Sequence, residues 1–174
     1  MEERNPSAGQ SALYYGLLLS VAVIVMHLIL YIADAGSSTV GTILSLVVLI
    51  IGVAYFQYDY RNKKWGGYIS YGKAVKIGFL TMLFASFIVA VYTYLYHSQI
   101  NPAEIQQTKL DSLQQIYNYG LSPEAEAQQV KLQEMIHTPL VYSLASIPGY
   151  AIIGLIIALI TAIFIKKEET TSLS

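Results

Sequence analysis

No cysteine occurs anywhere in the 174 residues. That excludes disulfide staples, thiolate metal sites and a cysteine nucleophile. Charge is almost as scarce: only 12% of residues are Asp, Glu, Lys or Arg, about half the share of a typical soluble domain at about 25%. What charge there is avoids four long stretches altogether, so no buried carboxylate or lysine is available within them to couple ion movement. No Ser–His–Asp order, zincin motif or suitably placed carboxylate pair is present. Neither an inverted repeat nor a pair of broken apolar segments points to a secondary transporter. No catalytic role, cofactor, metal site or nucleic-acid contact is therefore expected.

The charge-free stretches are the main content of the chain. They run over Ala12–Ala33, Val40–Gln57, Ile77–Tyr96 and Leu140–Ile165, and hydropathy with flanking residues sets the spans at 12–33, 40–57, 73–97 and 140–165. Each apolar run is about 18–26 residues, and a bilayer core of about 30 Å needs roughly 20 residues of helix. Backbone groups in lipid must pair internally, which leaves helices or a closed barrel. The runs lack the ten-residue alternation of barrel strands. The expected fold is an all-α integral membrane protein of four transmembrane helices, forming a single domain over 12–167 between tails at 1–11 and 168–174.

The net charge of −1 hides an asymmetry. Arg4, Arg61, Lys63, Lys64, Lys73, Lys76, Lys166 and Lys167 flank the ends that share one side, whereas the other side has only Lys109 and Lys131 beside six carboxylates. Basic flanks stay cytoplasmic, so both termini are expected inside, with residues 34–39 and 97–139 outside. Ala33-Asp34-Ala35 has the look of a signal-peptide cleavage site, but Glu2 and Glu3 spoil a basic leader and the first run exceeds a leader's apolar core. An uncleaved first helix is expected.

Gly36-Ser37-Ser38 reads as a tight turn, so the first two spans are antiparallel neighbours. The loop DYRNKKWGGYISYGKAVK, residues 59–76, carries Trp65, Tyr68 and Tyr71, rings suited to the headgroup layer. Lys73 and Lys76 stand one helical turn apart and can snorkel to lipid phosphates. An ordinary anchor loop explains this pattern; a specific anionic-lipid or nucleotide contact is the sharper reading, although the glycine spacing matches no phosphate loop.

Residues 101–138 form the one substantial segment outside the spans. Asn101-Pro102-Ala103-Glu104 reads as a capped helix start, Gly120 as a left-handed stop, and Ser122-Pro123-Glu124 as a second start before Pro139. An extracytoplasmic helical hairpin between the third and fourth spans follows. Ile105, Leu110, Leu113, Ile116 and Tyr117 fall on one broad face, and Leu132, Met135 and Ile136 on another. Such stripes bury against each other and the membrane surface, or against a partner. Leu113 and Ile116 are the candidate contact residues.

Within the spans, Gly41 and Ser45, Ala74 and Gly78, and Gly154, Ala158 and Ala162 place small residues four apart, the pattern of close helix packing. Pro148-Gly149 predicts a bend in the last span. His27 is the one ionisable side chain well inside a span, roughly 9 Å from its end at about 1.5 Å per residue, and intramembrane ionisable groups are functional suspects. With His97 and His137 it suggests a metal or proton-relay site, but no close ligand spacing or carboxylate accompanies it, and a neutral imidazole hydrogen-bonded to a neighbouring helix is the expected account.

RNKKWGGYISYGKAVKIGF, followed by a tyrosine-rich helix end, INPAEIQ and GLSPEAEAQ, resembles a widespread bacterial family of small membrane proteins known only as a domain of unknown function. The likeness covers about residues 10–167 and implies four membrane helices in the inner membrane of Gram-negative bacteria, with no activity or active site to carry over. The leading expectation is a non-enzymatic inner-membrane interaction or scaffold protein whose hairpin meets an envelope protein or a second copy. A small transporter or channel component, with His27 and Pro148 lining a path, is the alternative. A lipid-handling protein using Trp65, Lys73 and Lys76 is the third.

Overall fold

Six α-helices account for most of the residues described by the computed structural model, 7–36 and 38–168. The expectations placed on Glu2, Glu3, Arg4, Ser37 and the tail beyond Glu168 lie outside those residues. The helices are α1 (Ala8–Ile32), α2 (Thr39–Lys64), α3 (Tyr71–Leu95), α4 (Pro102–Asn118), α5 (Pro123–Ile136) and α6 (Pro139–Ile165), with a π-helical turn at Tyr96–Ile100 continuing α3. Four of them, α1, α2, α3 with its π turn, and α6, are long and apolar enough to cross a membrane. Their outward residues, such as Leu13, Val21, Ile43, Ile51, Phe87, Ile152 and Phe164, are exposed. A water-soluble bundle could not leave so much apolar surface uncovered; the chain is a multi-pass membrane protein.

Helix ends depart from the sequence expectations in three places, each for a local reason. α1 starts at Ala8 rather than Ala12, because Ser7 and Gln10 form a reciprocal capping box: Gln10 N–H donates to Ser7 Oγ at 3.3 Å and Ser7 N–H to Gln10 Oε1 at 3.0 Å. Residues 8–11 are thus helical rather than tail. α2 continues two turns past Gln57 to Lys64. Hydropathy ends at Gln57, but an i,i+4 pair of Asp59 and Lys63 (2.9 Å) and three basic residues in the last turn favour continued helix. Gly66 and Gly67, both at positive φ, then turn the chain. Asn101 occupies the cap position of α4 without capping it; its amide is engaged elsewhere, as described below.

The turn signals at Gly120 and Ser122-Pro123 behave as read. Gly120 is left-handed at φ +59, and Ser122 accepts from Ala125 N–H ahead of Pro123. α6 runs without interruption through Pro148. Lacking an amide hydrogen, that residue leaves the Leu144 carbonyl without its intrahelical donor.

The chain divides into two compact units, residues 90–147 and the remainder. In the larger unit, Tyr15 and Leu19 of α1, Val53 and Phe56 of α2, Ile77 and Met82 of α3 and Ile157 of α6 form one buried cluster. Small residues let the helices close on it. A Cβ on Gly16 would lie 2.7 Å from Phe84 Cβ and 3.0 Å from the α3 backbone, and one on Gly154 would collide with Met82. Gly78, Ala158 and Ala162 do the same between α3 and α6, where a Cβ on Gly78 would stand 2.9 Å from Ala158 Cβ. The small-residue rows of α3 and α6 are thus used inside the chain. In the smaller unit α4 and α5 pack on one another, with Lys109 Nζ 3.7 Å from Glu134.

Candidate functional site

The densest chemistry lies at the end of the larger unit where α2 stops, α3 starts and α6 stops. An isolated antiparallel bridge ties Ile69 to Lys167, with N···O distances of 2.8 and 3.0 Å. Arg61 Nη1 donates to the Ile165 carbonyl at 2.9 Å, satisfying a C-terminal acceptor of α6, while its guanidinium lies 4.7 Å from the Tyr58 ring centroid. Tyr71 Oη donates to the Leu159 carbonyl at 3.2 Å. Asp59 is held by Tyr15 Oη at 2.8 Å and by Lys63, and the Tyr15 ring stacks on Phe56 at 4.8 Å.

Onto this frame the 65–70 loop sets its aromatics. Lys73 Nζ sits 3.4 Å from the Trp65 ring centroid and Lys167 Nζ 5.0 Å from that of Tyr68. Such cation–π contacts hold an ammonium without neutralising it. Trp65, Lys73 and Lys76 are all exposed. The first two, separate candidates in the sequence, are brought into contact here.

The remaining candidates are dispersed. His27 is half-buried on α1, Pro148 exposed on α6, Leu113 half-buried and Ile116 buried on α4. Ile116 is thus a core residue of its unit rather than a presented one. His97 and His137, both buried, flank the Tyr142 ring at centroid distances of 5.0 and 6.1 Å. His137 Nδ1 lies 2.9 Å from the Gln133 carbonyl, an acceptor that requires the proton on that nitrogen. Among the described residues no three metal-ligating side chains gather.

Two polar arrangements carry no local sequence motif. Gln57, fully buried, donates through Nε2 to the carbonyls of Ala74 (3.0 Å) and Ala158 (3.1 Å), joining α2, α3 and α6. Because both neighbours are acceptors, the amide orientation is fixed, and Oε1 is left buried without a partner among the described residues. The hydroxyls of Ser20, Thr81, Ser86 and Thr161, by contrast, donate to carbonyls of their own helices. A lone glutamine facing small residues four apart on another span was the available signal for Gln57.

In the smaller unit Tyr96 Oη donates to Glu104 Oε2 at 2.7 Å, and the Asn101 amide donates to both, at 3.1 Å each. This engagement is why Asn101 does not cap α4; its own N–H closes the π turn on the Tyr96 carbonyl at 2.8 Å. The glutamate expected to complete a capping box instead anchors the tyrosine.

Comparison with curated proteins and with solved structures gives no match. Over residues 14–167 the chain matches the family described as "Protein of unknown function (DUF4199)". The matched segment includes the Trp65–Lys73 contact, the Gln57 junction and the Tyr96–Glu104 cluster, and the chain belongs to that family.

Proposed function

We propose that the protein is a non-enzymatic interaction module of the bacterial inner membrane, in which a four-helix anchor presents the α4–α5 hairpin on the extracytoplasmic side. The observation that carries this reading is the exposure of large apolar side chains on the two helices that are not spans: Leu110 at 58%, Tyr117 at 54%, Leu132 at 47% and Met135 at 56%. On α4 the apolar stripe is wider than the part that is buried. Ile105 and Ile116 are covered; Leu110 and Tyr117, two turns apart further round the helix, are not. Apolar residues on a hydrated helix favour an apolar surface of another envelope protein. The basic end of the larger unit supports the orientation, since such flanks are retained in the cytoplasm.

Photo-crosslinking in living cells from Leu110 and Leu132 tests the reading. Adducts to one discrete, different protein are expected, and they should be lost when the neighbouring exposed residue, Tyr117 or Met135, becomes Asp. Adducts only to lipid or to a second copy would overturn it. The transporter alternative, with His27 and Pro148 lining a path, is checked separately by solute flux in reconstituted vesicles.

A further inference from the structure

We propose that Trp65, Lys73 and Lys76 form a binding site for the phosphate of an anionic lipid headgroup. The inference is independent of the hairpin's partner. Among the described residues, seven basic side chains crowd this end of the larger unit: Arg61, Lys63, Lys64, Lys73, Lys76, Lys166 and Lys167. Only two carboxylates, Asp59 and Glu168, accompany them. Asp59 is already committed to Tyr15 and Lys63. Arg61 is committed to the Ile165 carbonyl and the Tyr58 face.

Lys73 and Lys76 have no carboxylate partner among the described residues. They lie three residues apart in the first turns of α3, on one side of the helix. The Trp65 ring under Lys73 fixes that ammonium in place at 3.4 Å. The ring can face only part of the ammonium, so N–H donors directed away from it remain for a phosphate oxygen. Trp65 and Tyr68 belong at headgroup depth by their amphipathic character, which is where a lipid phosphate lies and a freely dissolved anion need not. The Ile69–Lys167 bridge holds the loop that carries both rings, so the site is set before a ligand arrives. Phosphate is therefore met by ordered donors rather than by a mobile basic tail.

The chain supplies its own probe, because Trp65 is its single tryptophan. The full-length protein is reconstituted into vesicles containing equal fractions of brominated phosphatidylglycerol or brominated phosphatidylcholine, and Trp65 quenching is compared. Preferential occupancy by the anionic lipid of about five-fold is expected, the scale of one favourably placed basic side chain near a bilayer surface. Lys73→Gln should bring the ratio close to one, while Lys73→Arg should preserve most of it. Lys63→Gln, the same change in net charge at an exposed position nearby, should leave it nearly unaltered.

Equal quenching by the two lipids in the parent protein would overturn the proposal. An equal loss for Lys63→Gln and Lys73→Gln would also overturn it, by reducing the effect to diffuse surface charge. Displacement of the anionic lipid by millimolar inorganic phosphate would reassign the site to a soluble anion. Lys76→Gln supplies the second variant if Lys73→Gln alters helicity measured by circular dichroism.

Discussion

The two units of the chain use the same apolar residue types under opposite rules. In the larger unit, many Leu and Ile side chains point outward from the spans, and the interior mixes large residues such as Leu19 and Ile77 with Gly16, Gly78, Gly154, Ala158 and Ala162, which let the helices approach closely. Lipid removes the hydrophobic reason to place large residues inside, so close backbone approach and polar contacts hold the helices together. In the smaller unit, Ile105 and Ile116 turn inward on a helix rich in Gln, Lys and Asp, the amphipathic pattern of a helix with one face to water. An exposed leucine is therefore unremarkable on α2 and informative on α4. Reading exposure without first asking which solvent faces the helix would confuse the two.

The comparison can be tested from its largest effect downward. Ile116→Asp should cost about 3–4 kcal/mol in the smaller unit, from lost apolar burial and an unpaired buried carboxylate. Leu110→Asp should leave helicity intact and lower only the crosslinking yield; circular dichroism and crosslinking on both variants separate the outcomes. If both unfold the unit alike, Leu110 is not a free surface residue.

Gly16→Val comes next. Its side chain would meet Phe84 Cβ and the α3 backbone, neither of which can swing aside, and about 2–3 kcal/mol of destabilisation follows. Unfolding in mixed detergent micelles should show it. Gly36→Val, with no atom of the described residues within 4 Å of the added Cβ, serves as the open-space control.

Gln57→Leu should cost only about 1 kcal/mol by the same assay. Two interhelical hydrogen bonds are lost, each worth about 0.6 kcal/mol in membrane proteins, while the unpaired Oε1 is relieved as well. Gln57→Glu should be much worse at neutral pH, setting a carboxylate against the Ala74 and Ala158 carbonyls, and acid should recover part of the loss by restoring a donor. Gly120→Ala ranks with Gln57→Leu at about 1 kcal/mol, because a Cβ at φ +59 sits in the left-handed region. It should appear as a slight fall in the thermal stability of α4 and α5.

Much of the fold was legible because it rests on local rules. Span length follows from bilayer thickness, and Gly120 and Pro123 announce their turns by backbone chemistry alone. The ends that differ from hydropathy are those where side chains outvote it: the Ser7–Gln10 box and the Asp59–Lys63 pair extend helices into polar sequence. Asn101 kept its place and lost its role, because its amide donates to Tyr96 and Glu104 instead.

The candidate sites were only partly legible for a related reason. Trp65 and Lys73 were each visible as headgroup residues, but their contact depends on how Gly66 and Gly67 return the chain. Gln57 marked the end of an apolar run, and nothing near it in sequence discloses acceptors on two other helices.

One of those acceptors, the Ala158 carbonyl, belongs to a residue 101 positions later in the chain. During synthesis the Gln57 amide is therefore made long before its second acceptor exists, and until the last span arrives one of its N–H groups, near the basic end of the spans, has no acceptor. A chain truncated before α6 would keep that donor unfilled, so α2 and α3 acquire their full set of contacts only when the last helix is in place.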